Sequence, residues 1–348
     1  MLTSPAAPPA GHRDGAEAVA HRARRRALAL VTALAALLLI VLASLALGVR
    51  DINPAEVWRA LTAPVAGFMD HDVVLDQRLP RTVVGLAAGV ALGTAGTLIQ
   101  GITRNPIADP GLLGLNSGAS LAVVCAVWLL GITSPIGYVW FAFVGAAAAA
   151  AIVFSVGRGQ PVRLALVGAT VTALITPLIT LVLLRDQQAF NLYRFWSVGS
   201  LTGRGLETAA WLWPFIVVGI ILAAVVSHRL NMLALGDDVA TALGQRVGTT
   251  RTLSAIAIVL LAGTATSLAG PIALVGLVVP HAARRIGGTD YRWVLAISAL
   301  LGPVMLLAAD VLGRLILPRS ELEAGVVAAL LGAPVLIAVA RSRNVVGA

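Results

Sequence analysis

The chain has 348 residues, of which 58% are hydrophobic and only 12% charged, about half the charged share of an ordinary soluble domain. Its 25 basic residues are all arginine and outweigh 16 acidic ones, for a net charge of +9. This excludes a soluble globular protein and, at ~20 apolar residues per helical crossing, leaves room for about ten spans and no large domain outside the membrane.

Several chemistries drop out with the composition. Without lysine the chain has neither a Walker A lysine nor an amine for Schiff-base chemistry, so any ATP is hydrolysed on another chain. A single cysteine, Cys125, excludes an internal disulfide and a multi-cysteine metal site. The five histidines include no i, i+4 pair, which removes the helical zinc-protease motif. The arginines are scattered between apolar runs, where they report membrane orientation rather than nucleic-acid binding. No catalytic, cofactor or metal site is predicted on this chain.

In chain order, residues 1–26 are rich in Ala, Pro and Arg, lack apolar periodicity and end in HRARRR, so a disordered basic cytoplasmic tail is predicted. Residues 27–348 form one membrane domain. The run from Ala27 to Leu47 is too long for a signal-peptide core and reads as an uncleaved first span. Further spans are predicted at roughly 79–101, 112–131, 136–156, 163–184, 208–227, 252–270, 272–287, 293–316 and 323–340. The 272–287 segment is short and interrupted by Pro280 and His281, as in a broken or partly re-entrant helix.

An all-α protein of about ten transmembrane helices follows, with both termini cytoplasmic. Alternation places Arg104, Arg158, Arg163, Arg229, Arg246, Arg251, Arg284, Arg285, Arg292, Arg341, Arg343 and the five tail arginines inside, 16 in all. Nine lie outside, Arg50, Arg59, Arg78, Arg81, Arg185, Arg194, Arg204, Arg314 and Arg319, together with most of the acidic residues. This agrees with the positive-inside rule. A shift of 170 residues also aligns the segment from Arg81 with that from Arg251, seven of 20 positions being identical. The aligned spans are the second and the seventh and run in opposite directions, which points to an inverted internal repeat. Gly85, Gly89 and Gly93 stand at i, i+4, i+8 on the second span and let another helix approach closely.

Three segments carry a mechanism. In RLPR, Arg78 and Arg81 place two positive charges at a helix start, where the macrodipole is already positive. Two roles are open for them: anchoring at the headgroups, or docking an acidic partner. The segment 231–251 is too polar to cross and too apolar for a free loop, with Leu235 and Leu243 on one face and Gly236 and Gly244 as breaks. Such an element lies on the membrane or fits a groove of another protein, and Asp237 and Asp238 oppose the first because anionic lipid repels them. In the third segment Asp310, well inside an apolar run, is open to ion coupling or to pairing with Arg314 one turn later, and the pair is the simpler account. His281 beside Arg284 and Arg285 is an isolated candidate for acid–base chemistry.

Taken together, RLPR at 78, RNPIADPGLLGLNSGAS at 104, FWSVGSL at 195, LALGDDVATALG at 233, GPIALVGLVVPHAARRIGG at 270, AADVLGR at 308, ELEAG at 321 and LLGAPVLI at 330 resemble the FecCD or BtuC-like permease family of type II ABC importers for ferric siderophores, haem and cobalamin. The resemblance covers everything after the first span. It implies a BtuC-like fold and a second permease subunit, identical or related. It also implies two ATPase subunits that bind ATP and Mg, and an extracytoplasmic substrate-binding protein, all at a bacterial inner membrane. By the same resemblance Arg78, Arg81 and Arg314 dock the binding protein. Leu235, Gly236, Asp237, Asp238, Ala242, Leu243 and Gly244 would form the coupling element in a cleft of the ATPase. An inner gate falls at Gln160, Pro161 and Val162, where the family's small hydroxyl residues are replaced, so that closure there would rest on dewetting. The function so implied is import of a ferric siderophore. Haem or cobalamin import, an ion-coupled secondary transporter using Asp310 and an intramembrane enzyme using His281 are the alternatives.

Overall fold

The computed structural model describes residues 11–157, 160–317 and 320–341, all helical or irregular without a strand. Arg158, Arg319 and Arg343, counted above, lie outside them, as do residues 1–10 of the predicted tail. The first helix, α1 (Gly11–Ala46), starts well before the first span, so the second half of the predicted disordered tail is helical instead. Its Ala, Glu and Arg residues are good helix formers, and the apolar run that follows extends the helix without a break.

After α1 come two short helices, α2 (Pro54–Thr62) and α3 (Met69–Asp72), then a wider helical turn at Val73–Arg78 that leads into α4 (Leu79–Thr103). Asn53 caps α2 by accepting from the Ala55 N–H at 2.9 Å, with Pro54 in the first turn. The first half continues with α5 (Leu115–Leu130), α6 (Pro135–Gly157) and α7 (Pro161–Arg185). A short helix, α8 (Gln187–Trp196), joins it to α9 (Leu206–Leu233). The second half adds α10 (Asp237–Ala242), α11 (Val247–Ala269), α12 (Val275–Gly287), α13 (Tyr291–Ile316) and α14 (Ala324–Arg341). Ten of these helices correspond to the ten predicted spans, and they alternate between an end marked by α2 and an end marked by α10. Among the described residues, seven are long and apolar enough to cross a bilayer, while α5 and α14 are shorter apolar helices. The chain is a multi-pass membrane protein.

With 13 residues, α12 reaches only ~20 Å at ~1.5 Å per residue, short of the ~30 Å hydrocarbon layer. The non-helical segment 270–274 leads into the helix, with Leu274 held at φ 70°. In the first half α5 is likewise preceded by a segment without α-helix, 104–114, which holds only a short 3-10 turn at Pro110–Leu113, but at the opposite end. Both short helices pack on the helix that follows, α5 on α6 and α12 on α13, and α4 packs on α11 at the centre. This is the arrangement expected of inverted halves. Of their apolar stretches, α4 and α11 bury 78% and 72%, whereas α1 and α7 bury 22% and 17%. Two central helices are therefore wrapped by others whose outer faces need lipid or a partner.

Small residues let the core close. A Cβ on Gly89 of α4 would fall 2.3 Å from the Cα of Pro303 on α13, and one on Gly302 would fall 2.0 Å from the Gly89 carbonyl. Gly85 faces Leu307 and Gly93 faces the Ser298 carbonyl, so the three glycines singled out above form the α4 side of this contact.

Candidate functional site

At the α2 end, Arg78, Arg81 and Arg314 converge. The π-like turn puts Arg78 at the start of α4 and Arg81 less than one turn later, while Arg314 closes the last turn of α13. All three are buried. Arg81 donates to Asp310 Oδ1 at 2.7 Å and to Glu321 at 2.6 Å. Arg314 faces Asp310 Oδ2 at 3.1 Å and donates to the carbonyls of Ser44 and Leu47 at the end of α1, each at 3.0 Å. Arg78 donates to the carbonyls of Leu45, at 2.7 Å, and of Arg50. The terminal carbonyls of a helix have no partner within it, so Arg78 and Arg314 satisfy the end of α1 while Asp310 ties α4 to α13.

Asp310 is thus a cross-link between two guanidiniums. The i, i+4 partner Arg314 was visible in sequence; Arg81, 229 residues away, was not. The three arginines also line a cavity of about 670 Å³ that is bounded further by Arg50, Asp76, Arg204 and Glu321. Arg204, which sequence did not single out, donates to the hydroxyl of Tyr138.

Several of the quoted motifs meet beside this cluster. The Ser200 N–H donates to the Ala269 carbonyl and the Gly325 N–H to the Gly199 carbonyl, each at 2.8 Å. The turn of FWSVGSL is therefore clamped between the end of α11, where GPIALVG begins, and the start of α14. Nothing in the local sequence of any one motif announces this junction.

At the α10 end, α10 and the residues that flank it present Leu235, Val239 and Leu243 as exposed apolar side chains. Asp238 is exposed beside them, with Ala242 and Gly244. Asp237 is partly exposed and pairs with Arg104 at 3.2 Å and Arg251 at 3.0 Å. These arginines stand at the end of α4 and the start of α11, so the loop is braced against both central helices. The turn into α10 places Gly236 at φ 110°, a conformation closed to side chains with a Cβ. Gln100 joins α4 to α12 nearby, donating to the Gly276 and Leu277 carbonyls and accepting from Arg284 at 2.6 Å.

The connection from α6 to α7 lies at the same end. Gln160 immediately precedes α7, Pro161 opens it and Val162 is 72% exposed. His281 on α12 has Nε2 buried without a hydrogen-bond partner, and among the described residues no group of three His, Cys, Asp or Glu side chains is arranged to hold a metal.

The chain is similar to the ferric enterobactin transport system permease protein FepD of Escherichia coli (strain K12), with 44% identity covering 93% of this chain and 98% of FepD. It is 36% identical to the probable siderophore transport system permease protein YfiZ of Bacillus subtilis (strain 168), over 93% of this chain and 98% of YfiZ. The hemin transport system permease protein HmuU of Yersinia pestis is 35% identical over 85% and 92%. A solved inward-facing metal-chelate type ABC transporter superposes with a TM-score of 0.78 and 25% identity, covering 89% of this chain and 98% of that one. Residues 36–342 match the FecCD transport family, and the chain belongs to it.

Proposed function

We propose that this chain is the membrane-spanning permease subunit of an ATP-binding cassette importer that moves a ferric siderophore into the cytoplasm. It would work with a second permease subunit, two ATPase subunits that bind ATP and Mg, and an extracytoplasmic binding protein. The relatives named for enterobactin and siderophore transport support the substrate, and the predicted excess of arginine inside supports a cytoplasmic α10 end.

The observation that carries this reading is the bracing of α10. Its apolar face is exposed and would fit a groove of another protein, while Asp237 links it to α4 and α11. A push on Leu235, Val239 and Leu243 by a closing ATPase dimer would act on the two central helices as a rigid-body shift. At the α2 end, Arg78, Arg81 and Arg314 would receive acidic side chains of the binding protein. Glu321, whose side chain is 35% exposed, is the ligand of Arg81 that an incoming carboxylate would exchange with, while the fully buried Asp310 stays. The exposed face of α7 carries Thr172, Thr176 and Thr180 one turn apart. A hydroxyl stripe on an otherwise apolar helix suits a hydrated pathway shared with the second permease subunit better than lipid. Gln160, Pro161 and Val162 would close that pathway at the α10 end.

The test is reconstitution of the full chain with its co-purifying ATPase and binding protein in vesicles, with uptake of a ferric siderophore measured with and without ATP. ATP-dependent uptake is expected. Uptake of hemin in place of the siderophore would give the second reading, which the likeness to HmuU favours, and uptake that is independent of ATP would overturn both.

A further inference from the structure

One buried charge at the α2 end has no counter-charge. Arg204, in the connection between α8 and α9, is 8% exposed, and among the described residues no carboxylate lies within ion-pair distance of it. Its guanidinium donates to the Tyr138 hydroxyl and lies 5.7 Å from the centre of the Tyr138 ring, while its Nε is buried without an acceptor. A desolvated charge ordinarily finds an opposite one. Having accepted from Arg204, the Tyr138 phenol keeps its own hydrogen to donate.

Arg204 lines two cavities. One is the 670 Å³ cavity among Arg78, Arg81 and Arg314. The other, of about 340 Å³, is bounded further by Tyr138, Phe195, Trp196, Ser200 and Glu323. Trp196 adds a second buried donor without an acceptor, its Nε1, and Phe195 is 59% exposed with the Arg194 guanidinium 4.6 Å from the centre of its ring. The cavity thus combines aromatic faces with N–H donors that lack acceptors. Its carboxylate, on Glu323, immediately precedes α14, where the positive end of the helix offsets the charge.

The volume is at the low end for small-molecule pockets, so one ring of a larger ligand fits rather than the whole. Thr202, Gly203 and Arg204 are common to both cavities, which places this one where a chelate released at the docking cavity would arrive. It also stands at the α2 end of the helix that carries the threonine stripe, since α7 runs into α8 through Asp186 alone.

We propose, resting on the reading of the chain as a siderophore permease, that this cavity is a subsite for an aromatic arm of a catecholate-type ferric chelate. The ring packs against Tyr138 and Phe195, and its oxygens accept from Arg204 and the Tyr138 hydroxyl. Dianionic catecholate arms outweigh the ferric charge, whereas hydroxamate arms only balance it. A hydroxamate chelate therefore brings neither the ring nor the net negative charge that the cavity is built to take.

The test uses ferric 2,3-dihydroxybenzoate, labelled with radioactive iron and kept intact by excess 2,3-dihydroxybenzoate, in equilibrium binding to the full chain with its co-purifying permease and ATPase subunits in mild detergent. Saturable binding is expected, about tenfold weaker in Arg204→Gln and partly restored in Arg204→Lys, which keeps the charge. Phe195→Ala removes an exposed ring without opening the core, and binding should weaken severalfold there too. Arg59→Gln, exposed elsewhere at the same end, should bind as the wild type does. Ferrioxamine, a ferric hydroxamate, should compete at least about tenfold less well than the unlabelled catecholate. Absence of saturable binding to the wild type, unchanged affinity in Arg204→Gln or in Phe195→Ala, or equal competition by ferrioxamine overturns the proposal. So does a loss of co-purifying phosphatidylglycerol in Arg204→Gln with chelate affinity unchanged, which would make the anion a lipid headgroup. The importer reading is separable: ATP-driven uptake of ferrioxamine or hemin without catecholate binding would leave it standing and remove this subsite.

Discussion

The two ends of the bundle use charge in opposite ways. At the α2 end, Arg78, Arg81 and Arg314 are buried among helix-terminal carbonyls and carboxylates, so their charges hold α1, α4 and α13 together. At the α10 end, Asp237 does the bracing from a half-exposed position and the neighbouring apolar side chains are left uncovered. One end is thus locked by its polar groups, and the other is held in place so that it can be acted upon. The lesson is that burial, rather than the count of ion pairs, sets how firmly a charge is held by its own helices.

Removing the hub of the locked end should show this most strongly. Asp310→Ala leaves the buried Arg314 without a carboxylate and Arg81 with only Glu321, and a loss of about 3–5 kcal/mol is expected in reversible unfolding in detergent. A loss under about 1 kcal/mol, the size of a surface pair, would erase the distinction. Gly89→Val presses a side chain onto the α13 backbone between the two ends and should cost about 1–3 kcal/mol or more by overpacking, seen in the same unfolding experiment. Asp237→Ala should cost only about 0–1 kcal/mol because the pair is partly exposed, yet uncouple ATP hydrolysis from uptake in reconstituted vesicles. Leu243→Glu, on the uncovered face, should leave stability within about 0.5 kcal/mol and abolish co-purification of the ATPase subunit.

The smallest effect is the pH response of the α12–α13 corner. Burial alone would raise the Asp290 carboxyl, but hydrogen bonds from Arg292 and Asn231 and the Arg292 charge outweigh it and lower it to about 2. A lowered carboxylate contributes stability that is fully present above its unfolded value of about 4 and is lost as pH falls from there through about 2. Thermal unfolding should therefore show no Asp290-dependent change between pH 8 and 5, and the difference between wild type and Asp290→Asn should shrink only in the acid range.

Legibility in the sequence differed between features for identifiable reasons. The spans were visible because membrane insertion selects on hydropathy summed over ~20 consecutive residues. The short helices α2, α3 and α8 in the connections left no such sum. The helical start of α1 was missed because residues 11–26 lack apolar periodicity, while helix propensity and the apolar run that follows decided the matter. At the candidate site, Asp310 with Arg314 could be read from i, i+4 spacing, but the stronger partner Arg81 sits on another helix.

The sequence by itself determined that this is an all-helical membrane protein of about ten spans with more arginine at one end, an amphipathic loop between its halves and the motifs of a transport family. Each of these is a property of consecutive residues, and a bilayer acts on consecutive residues. Only the tertiary structure decided that Arg78, Arg81 and Arg314 share one cavity, that Asp237 bridges α4 and α11, and that FWSVGSL is clamped by segments far along the chain. Those meetings depend on how closely glycine-lined helices approach and on which buried charges must find a partner there, and neither is written in any one stretch of the chain.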